Sequence, residues 1–190
     1  MNNNNTFKQY IAPIIVLVGI CLVVSAALAA TYGITNPIIE ARAKADADAA
    51  RQEILPAAES FTLYEGNLWK SDDNKVSVQE VYVADNGSGI VVTVSTGSFG
   101  GQLVEMIGIG ADGAITGVKI SSHADTPGVG TNAMTEAHLA QYIGVSELTA
   151  TAAKAEPAID HVTGASVSSD GIHYGIYAAL QQFSEMGGVQ

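Results

Sequence analysis

The sequence predicts an α+β fold: one N-terminal transmembrane helix, then a domain of antiparallel strands with segregated helices. Three observations predict it. Residues Ile11 to Ala30 carry no charge. Residues 76–121 read with a period of two and are rich in β-branched side chains. A last run, from about Asp170 to Met186, puts Ile172, Ile176, Leu180 and Phe183 on one helical face.

Twenty helical residues rise about 30 Å, the thickness of a bilayer's hydrocarbon core. Residues 11–32 therefore read as a spanning helix. Tyr10 and Tyr32 flank it as interfacial aromatics do. Pro13 falls in the first turn, where a missing N–H costs little. A cleaved signal peptide is the competing reading, with Lys8 as its positive region and Ala27-Leu28-Ala29 as its cleavage site. Signal h-regions are shorter, about 7–15 residues, which favours a retained anchor. Ile20 is too large for the position before Cys21 in a lipoprotein box. Residues 1–10 form a short tail. Residues 33–56 are rich in alanine and charge, contain an Asn36-Pro37 start signal and end at Pro56. They read as a helical stalk. Lys8 on one flank and Arg42, Lys44 and Arg51 on the other leave the orientation open by residue counting.

Residues 57–190 form the remaining domain. Val76–Val83 and Ile90–Val94 flank Asp85-Asn86-Gly87-Ser88, a hairpin signal. Leu103–Ile109 and Ile115–Ser121 flank a second, Ala111-Asp112-Gly113-Ala114. Gly97-Ser98-Phe99-Gly100-Gly101 lies between the hairpins, where the backbone turns or approaches a ligand closely. Residues 122–131 read as loop. Asn132–Tyr142 has helical spacing, with Met134, Leu139 and Tyr142 inward. Residues 145–157 are polar and carry no clear period.

Composition excludes several functions. The net charge is −11, and the eight basic residues form no cluster, which argues against nucleic-acid binding. The single cysteine, Cys21, allows neither an internal disulfide nor a thiolate cluster. The four histidines are dispersed, with no HxxxH pair for a metal or haem. No GxGxxG follows a strand, so no nicotinamide site is expected. Ser166 sits in no GxSxG elbow, which weakens a hydrolase reading.

Residues 160–170, Asp-His-Val-Thr-Gly-Ala-Ser-Val-Ser-Ser-Asp, crowd hydroxyls around a Gly-Ala pair just before the last helix. Two readings stand. Ser168, Ser169 or Asp170 caps that helix. Alternatively, the helix start and its hydroxyls hold a phosphate, and one hydroxyl is esterified to it.

Asp160-His161-Val162-Thr163-Gly164-Ala165-Ser166 resembles the flavinylation motif of the FMN-binding domain family, Asp-x-x-Ser/Thr-Gly-Ala-Ser/Thr. His123-Ala124-Asp125-Thr126-Pro127-Gly128-Val129-Gly130 is similar to the His-x-Glu-Thr-Pro-Gly-Leu-Gly loop of that family. Ser98-Phe99-Gly100-Gly101 is similar to its Gly-Tyr-Gly-Gly segment. The resemblance covers nearly the whole chain. Within the family it points to the G subunits of Rnf ion-translocating electron transport complexes. The C subunits of sodium-pumping NADH:quinone reductases are related and usually longer. Ser166 stands where threonine is usual, and keeps the hydroxyl that an ester requires. Asp125 replaces a common glutamate; Val129, Phe99 and Ser98 replace leucine, tyrosine and glycine.

The resemblance implies a covalent FMN, moved from FAD by a flavin transferase onto Ser166 as a phosphoester. Asp160, Thr163, Gly164 and Ala165 complete the motif that the transferase reads. Thr126, Pro127, Gly128, Gly130, Gly100 and Gly101 are expected to wall the flavin pocket, with Thr163 bonding the flavin or its phosphate. The implied role is electron relay among the other membrane subunits of a complex that couples ferredoxin and NAD redox chemistry to sodium or proton movement. The chain would be an electron carrier rather than a catalyst alone, single-pass in the cell membrane, with its soluble domain extracytoplasmic. Two rivals are a stand-alone flavinylated extracytoplasmic carrier and a non-redox, membrane-anchored binding module.

Overall fold

The structure is a computed structural model that describes residues 11–189. The tail expected at residues 1–10, with Lys8 and Tyr10, lies outside the described residues. The chain divides into two compact units between Ala47 and Asp48.

Among its described residues the first unit is helix. Helix α1 runs unbroken over Ala12–Ile54, 43 residues, and its last turns belong to the second unit. An 18-residue window in it has a mean hydropathy of 2.8 with no buried residue, so it is long and apolar enough to cross a membrane. Ile15, Leu17, Leu22 and Val23 are all exposed, as a lipid-facing surface would be. Asn36-Pro37 does not start a separate helix: Pro37 lies inside α1. The proline ring forfeits one hydrogen bond, to the Gly33 carbonyl four residues back, and the helix continues on both sides. Asn36 Nδ2 donates to Glu40 Oε1 at 2.6 Å across this point.

The second unit is built on a five-stranded meander: β1 (Phe61–Leu63), β2 (Ser77–Ala84), β3 (Gly89–Ser98), β4 (Gly101–Gly110) and β5 (Ile115–Ser122). The strands pair antiparallel in sequence order. Strands β2 to β5 follow the expected alternation within a few residues at each end. Strand β1 was not expected. Its three residues are too few to show a period, and pairing with Tyr82–Ala84 defines it.

One face of β4 presents Leu103, Glu105, Ile107 and Ile109, all fully buried. Helix α3 (Ser166–Glu185) packs there with Ile172 and Ile176. On the opposite face, Gly108 and Gly117 let the end of α1 approach so closely that a Cβ on either would crowd Ile54. Thr116 Oγ1 donates to the Ile54 carbonyl at 2.6 Å. Arg51 lies 3.5 Å over the Tyr82 ring and pairs with Asp48 at 2.6 Å.

The helix expected over Asn132–Tyr142 is broken. A 3₁₀ turn covers Gly130–Met134, then α2 covers Glu136–Leu139, then a second 3₁₀ turn covers Ala140–Tyr142. Thr135 is the reason. It is extended, and its hydroxyl accepts from the His138 N–H as an N-cap. Leu139 and Tyr142 still point inward, and Met134 does so partly.

Candidate functional site

The Gly-rich segment between β3 and β4 makes a tight hairpin. Gly97 pairs with Gln102 and Ser98 with Gly101, which leaves Phe99 and Gly100 as the turn. Helix α3 comes so near this hairpin that Gly171 has no room for a Cβ against the Gly97 carbonyl. The Phe99 N–H donates to Ser168 Oγ at 3.3 Å, and the Gly100 N–H donates to Asp125 Oδ1. A Cβ on Gly130 would lie 2.5 Å from Asp125 Cγ and 2.7 Å from Ser168 Oγ. Three segments remote in sequence therefore meet: the hairpin turn, the loop of residues 123–130 and the first turn of α3.

The start of α3 differs from the expected cap. The helix begins at Ser166, four residues before Asp170, and its N-cap Ala165 makes no side-chain cap hydrogen bond. Gly164, with φ of 88°, turns the chain, and the Ala165 N–H donates to the Val162 carbonyl at 3.1 Å. Ser168 and Ser169 are fully buried inside the helix, and Asp170 follows them there. Ser168 serves the tertiary contact with Phe99 in place of a cap. The hydroxyl-bearing Ser166 is left exposed at the first helical position.

A cavity of about 230 Å³ opens beside it, lined by Phe99, Val129, Gly130, Gly164, Ala165, Ser166 and Val167. Each of the three resemblance segments contributes to this wall. Phe99, Val129 and Val167 are 62%, 41% and 55% exposed, so the lining is an apolar patch open to solvent.

Among the expected site residues, Gly130, Gly164, Ala165 and Ser166 line the cavity. Thr126, Pro127, Gly128, Gly100, Gly101, Thr163 and Asp160 do not line it. Several of them shape the loops behind. Gly128, at φ of 77°, donates its N–H to Thr131 Oγ1 at 2.9 Å. The Thr126 carbonyl accepts from the Val129 N–H at 3.1 Å. The Asp160 N–H donates to Gln141 Oε1 at 2.8 Å. Val167 was not expected. Its only signal is position: it is apolar on the side of α3 away from Ile176.

Buried polar groups gather about the middle of α3. Tyr142 Oη lies 3.1 Å from His173 Nδ1, and His173 Nε2 lies 3.0 Å from the Ala150 carbonyl. The carbonyl only accepts, so Nε2 holds the proton and Nδ1 accepts from the tyrosine. Burial lowers the His173 pKa. Burial, then nearby Glu105, raises that of Tyr142. Glu105 itself is fully buried with both oxygens unpartnered, and burial pushes its pKa well up.

The family profile "FMN-binding domain" matches residues 98–181. The G subunit of the ion-translocating oxidoreductase complex of Methanosarcina acetivorans is 27% identical over 95% of this chain and 98% of its own length. The G subunit of the Na(+)-translocating ferredoxin:NAD(+) oxidoreductase complex of Acetobacterium woodii is 28% identical over 90% of each chain. The crystal structure of Shewanella oneidensis NqrC overlays with a TM-score of 0.45 at 16% identity, over 64% of this chain and 67% of that one, too loosely to build on. Residues 98–181 thus form an FMN-binding domain, in a chain similar along nearly its whole length to the G subunits of ion-translocating oxidoreductase complexes.

Proposed function

We propose that this chain is a membrane-anchored electron carrier holding FMN esterified through its phosphate to Ser166. One observation carries the reading: the three motif-like segments converge on a single cavity that Ser166 lines. The residues suit the group. The first-turn N–H groups of a 20-residue helix and its partial positive charge favour a phosphate. Phe99, Val129 and Val167 offer an apolar bed for a flat ring. An exposed Ser166 hydroxyl is open to a modifying enzyme.

A flavin supplies reversible electron transfer when bound; the protein supplies position and electrostatics. Attachment forms the bond from Ser166 Oγ to the FMN phosphorus and breaks the pyrophosphate of FAD. AMP leaves, and the hydroxyl proton goes to solvent or to the transferase. Asp160, Thr163, Gly164 and Ala165 present Ser166 to that transferase. Gly130 walls the cavity directly. Thr126, Pro127, Gly128, Gly100 and Gly101 hold the loops behind it, and Thr163 flanks the phosphate.

The relatives among G subunits support a place in an Rnf-type complex, with other membrane subunits as partners and ferredoxin and NAD as its redox couple. Residues 11–32 lie in the bilayer, and residues 33–56 complete the stalk into the FMN-binding domain from residue 57. The soluble domain is extracytoplasmic, where no cofactor pool replaces a molecule that dissociates and an ester is useful.

The test is flavin fluorescence in a denaturing gel, with intact mass, for wild type and Ser166→Ala co-expressed with a flavin transferase. The wild-type band should glow and weigh one FMN more less one water, and the variant should do neither. A dark wild-type band of unmodified mass refutes the reading.

A further inference from the structure

Asp125 is 5% exposed and lies directly behind Gly130, outside the cavity lining. Its Oδ1 accepts the Gly100 N–H, and its Oδ2 is buried without a partner. None of the ion pairs among the described residues includes it. The contact with Gly100 fixes the hairpin turn that presents Phe99. The contact with Gly130 fixes the facing wall. One carboxyl group therefore sets the spacing of two walls of the cavity.

We propose that Asp125 is the positioning residue of this cavity and that its charge holds the potential of the bound flavin low. The inference rests on FMN at Ser166. Two-electron, one-proton reduction leaves one net negative charge on a flavin ring. A buried carboxylate behind the thin wall at Gly130 raises the energy of that added charge, and low local polarisability strengthens the effect. Removing the charge makes the ring easier to reduce.

The experiment uses full-length protein in detergent, co-expressed with a flavin transferase. Wild type, Asp125→Asn and Asp112→Asn are compared. Asparagine keeps the shape and an oxygen for Gly100 but not the charge. Asp112 makes the same change in the β4–β5 turn, where its Oδ1 accepts the Ala114 N–H at 3.1 Å. Midpoint potentials come from dithionite titration followed by absorbance. Asp125→Asn should shift to a more positive potential with loading close to wild type, and Asp112→Asn should not shift. An unmoved potential in Asp125→Asn, or an equal shift in Asp112→Asn, overturns the proposal while leaving the flavin reading intact. A dark wild type overturns both. Should Asp125→Asn not fold, the Gly100 amide resonance of wild type is followed between oxidised and two-electron-reduced forms. It should move with the flavin's charge, and a fixed resonance overturns the proposal.

Discussion

Glu105 Oε1 occupies the space in which a Cβ on Gly175 would lie. A carboxyl group on the sheet and a missing side chain on α3 thus form one complementary fit, with no hydrogen bond to hold it. Gly175→Ala should cost about 1–3 kcal/mol through overpacking. Glu105→Ala opens that space, so the double variant should be more stable than the two single losses predict, by at least about 0.5 kcal/mol. Denaturant melts of the four proteins in one detergent measure the coupling. Strict additivity would show that the fit is loose.

The same carboxyl group sets a pH dependence. Burial raises its folded pKa above the ordinary 4.5, so the folded state holds this proton more tightly than the unfolded chain does. Its contribution is complete below about pH 4.5 and is lost as pH rises toward the folded value. His173, lowered by burial, acts oppositely: its contribution is present above the ordinary 6.5 and lost as pH falls. Glu105→Gln removes only the first effect. The melting temperature of the variant minus that of wild type should therefore grow as pH rises from about 4 to 8. A difference flat with pH would mean that Glu105 is not buried.

Arg51 is 4% exposed and sits over the Tyr82 ring, with Asp48 and Glu80 at its guanidinium. A planar cation fits that position better than a compact ammonium. Arg51→Ala should lower stability by about 2 kcal/mol, and Arg51→Lys should recover less than half of it. Chemical melts of full-length protein measure both. Full recovery by lysine would reduce the contact to charge alone.

Gly130→Ala places a Cβ 2.5 Å from Asp125 Cγ and 2.7 Å from Ser168 Oγ. Either the loop or α3 must shift, at about 1–3 kcal/mol. Flavin loading should fall with it, because the cavity wall and the start of α3 move apart. In-gel fluorescence normalised to protein reads this. Loading equal to wild type would show that Ser166 is presented independently of this wall.

Strands β2 to β5 were legible because each is long enough to show alternation, and two Gly-containing turns separate them. Helix α3 was legible through Ile172, Ile176 and Leu180. Its start was not. Ser168 and Ser169 look like caps in sequence, and only the packed hairpin turns Ser168 Oγ toward the Phe99 N–H. The break at Thr135 was hidden similarly, since a threonine amid helical spacing reads as tolerated until its hydroxyl takes the His138 N–H. The motif around Ser166 was legible, as was its place just before the last helix. The company it keeps was not: Val167 is an apolar residue on a polar face, and Asp125 acts through a glycine's missing side chain.

Ala165 leaves α3 without a side-chain cap. A phosphoester on the next residue would bring acceptor oxygens and negative charge to the free N–H groups of that turn. Loading would then finish the helix as well as furnish the cofactor. Unloaded chains would leave those N–H groups without that partner, so maturation would also complete the local hydrogen bonding of the turn.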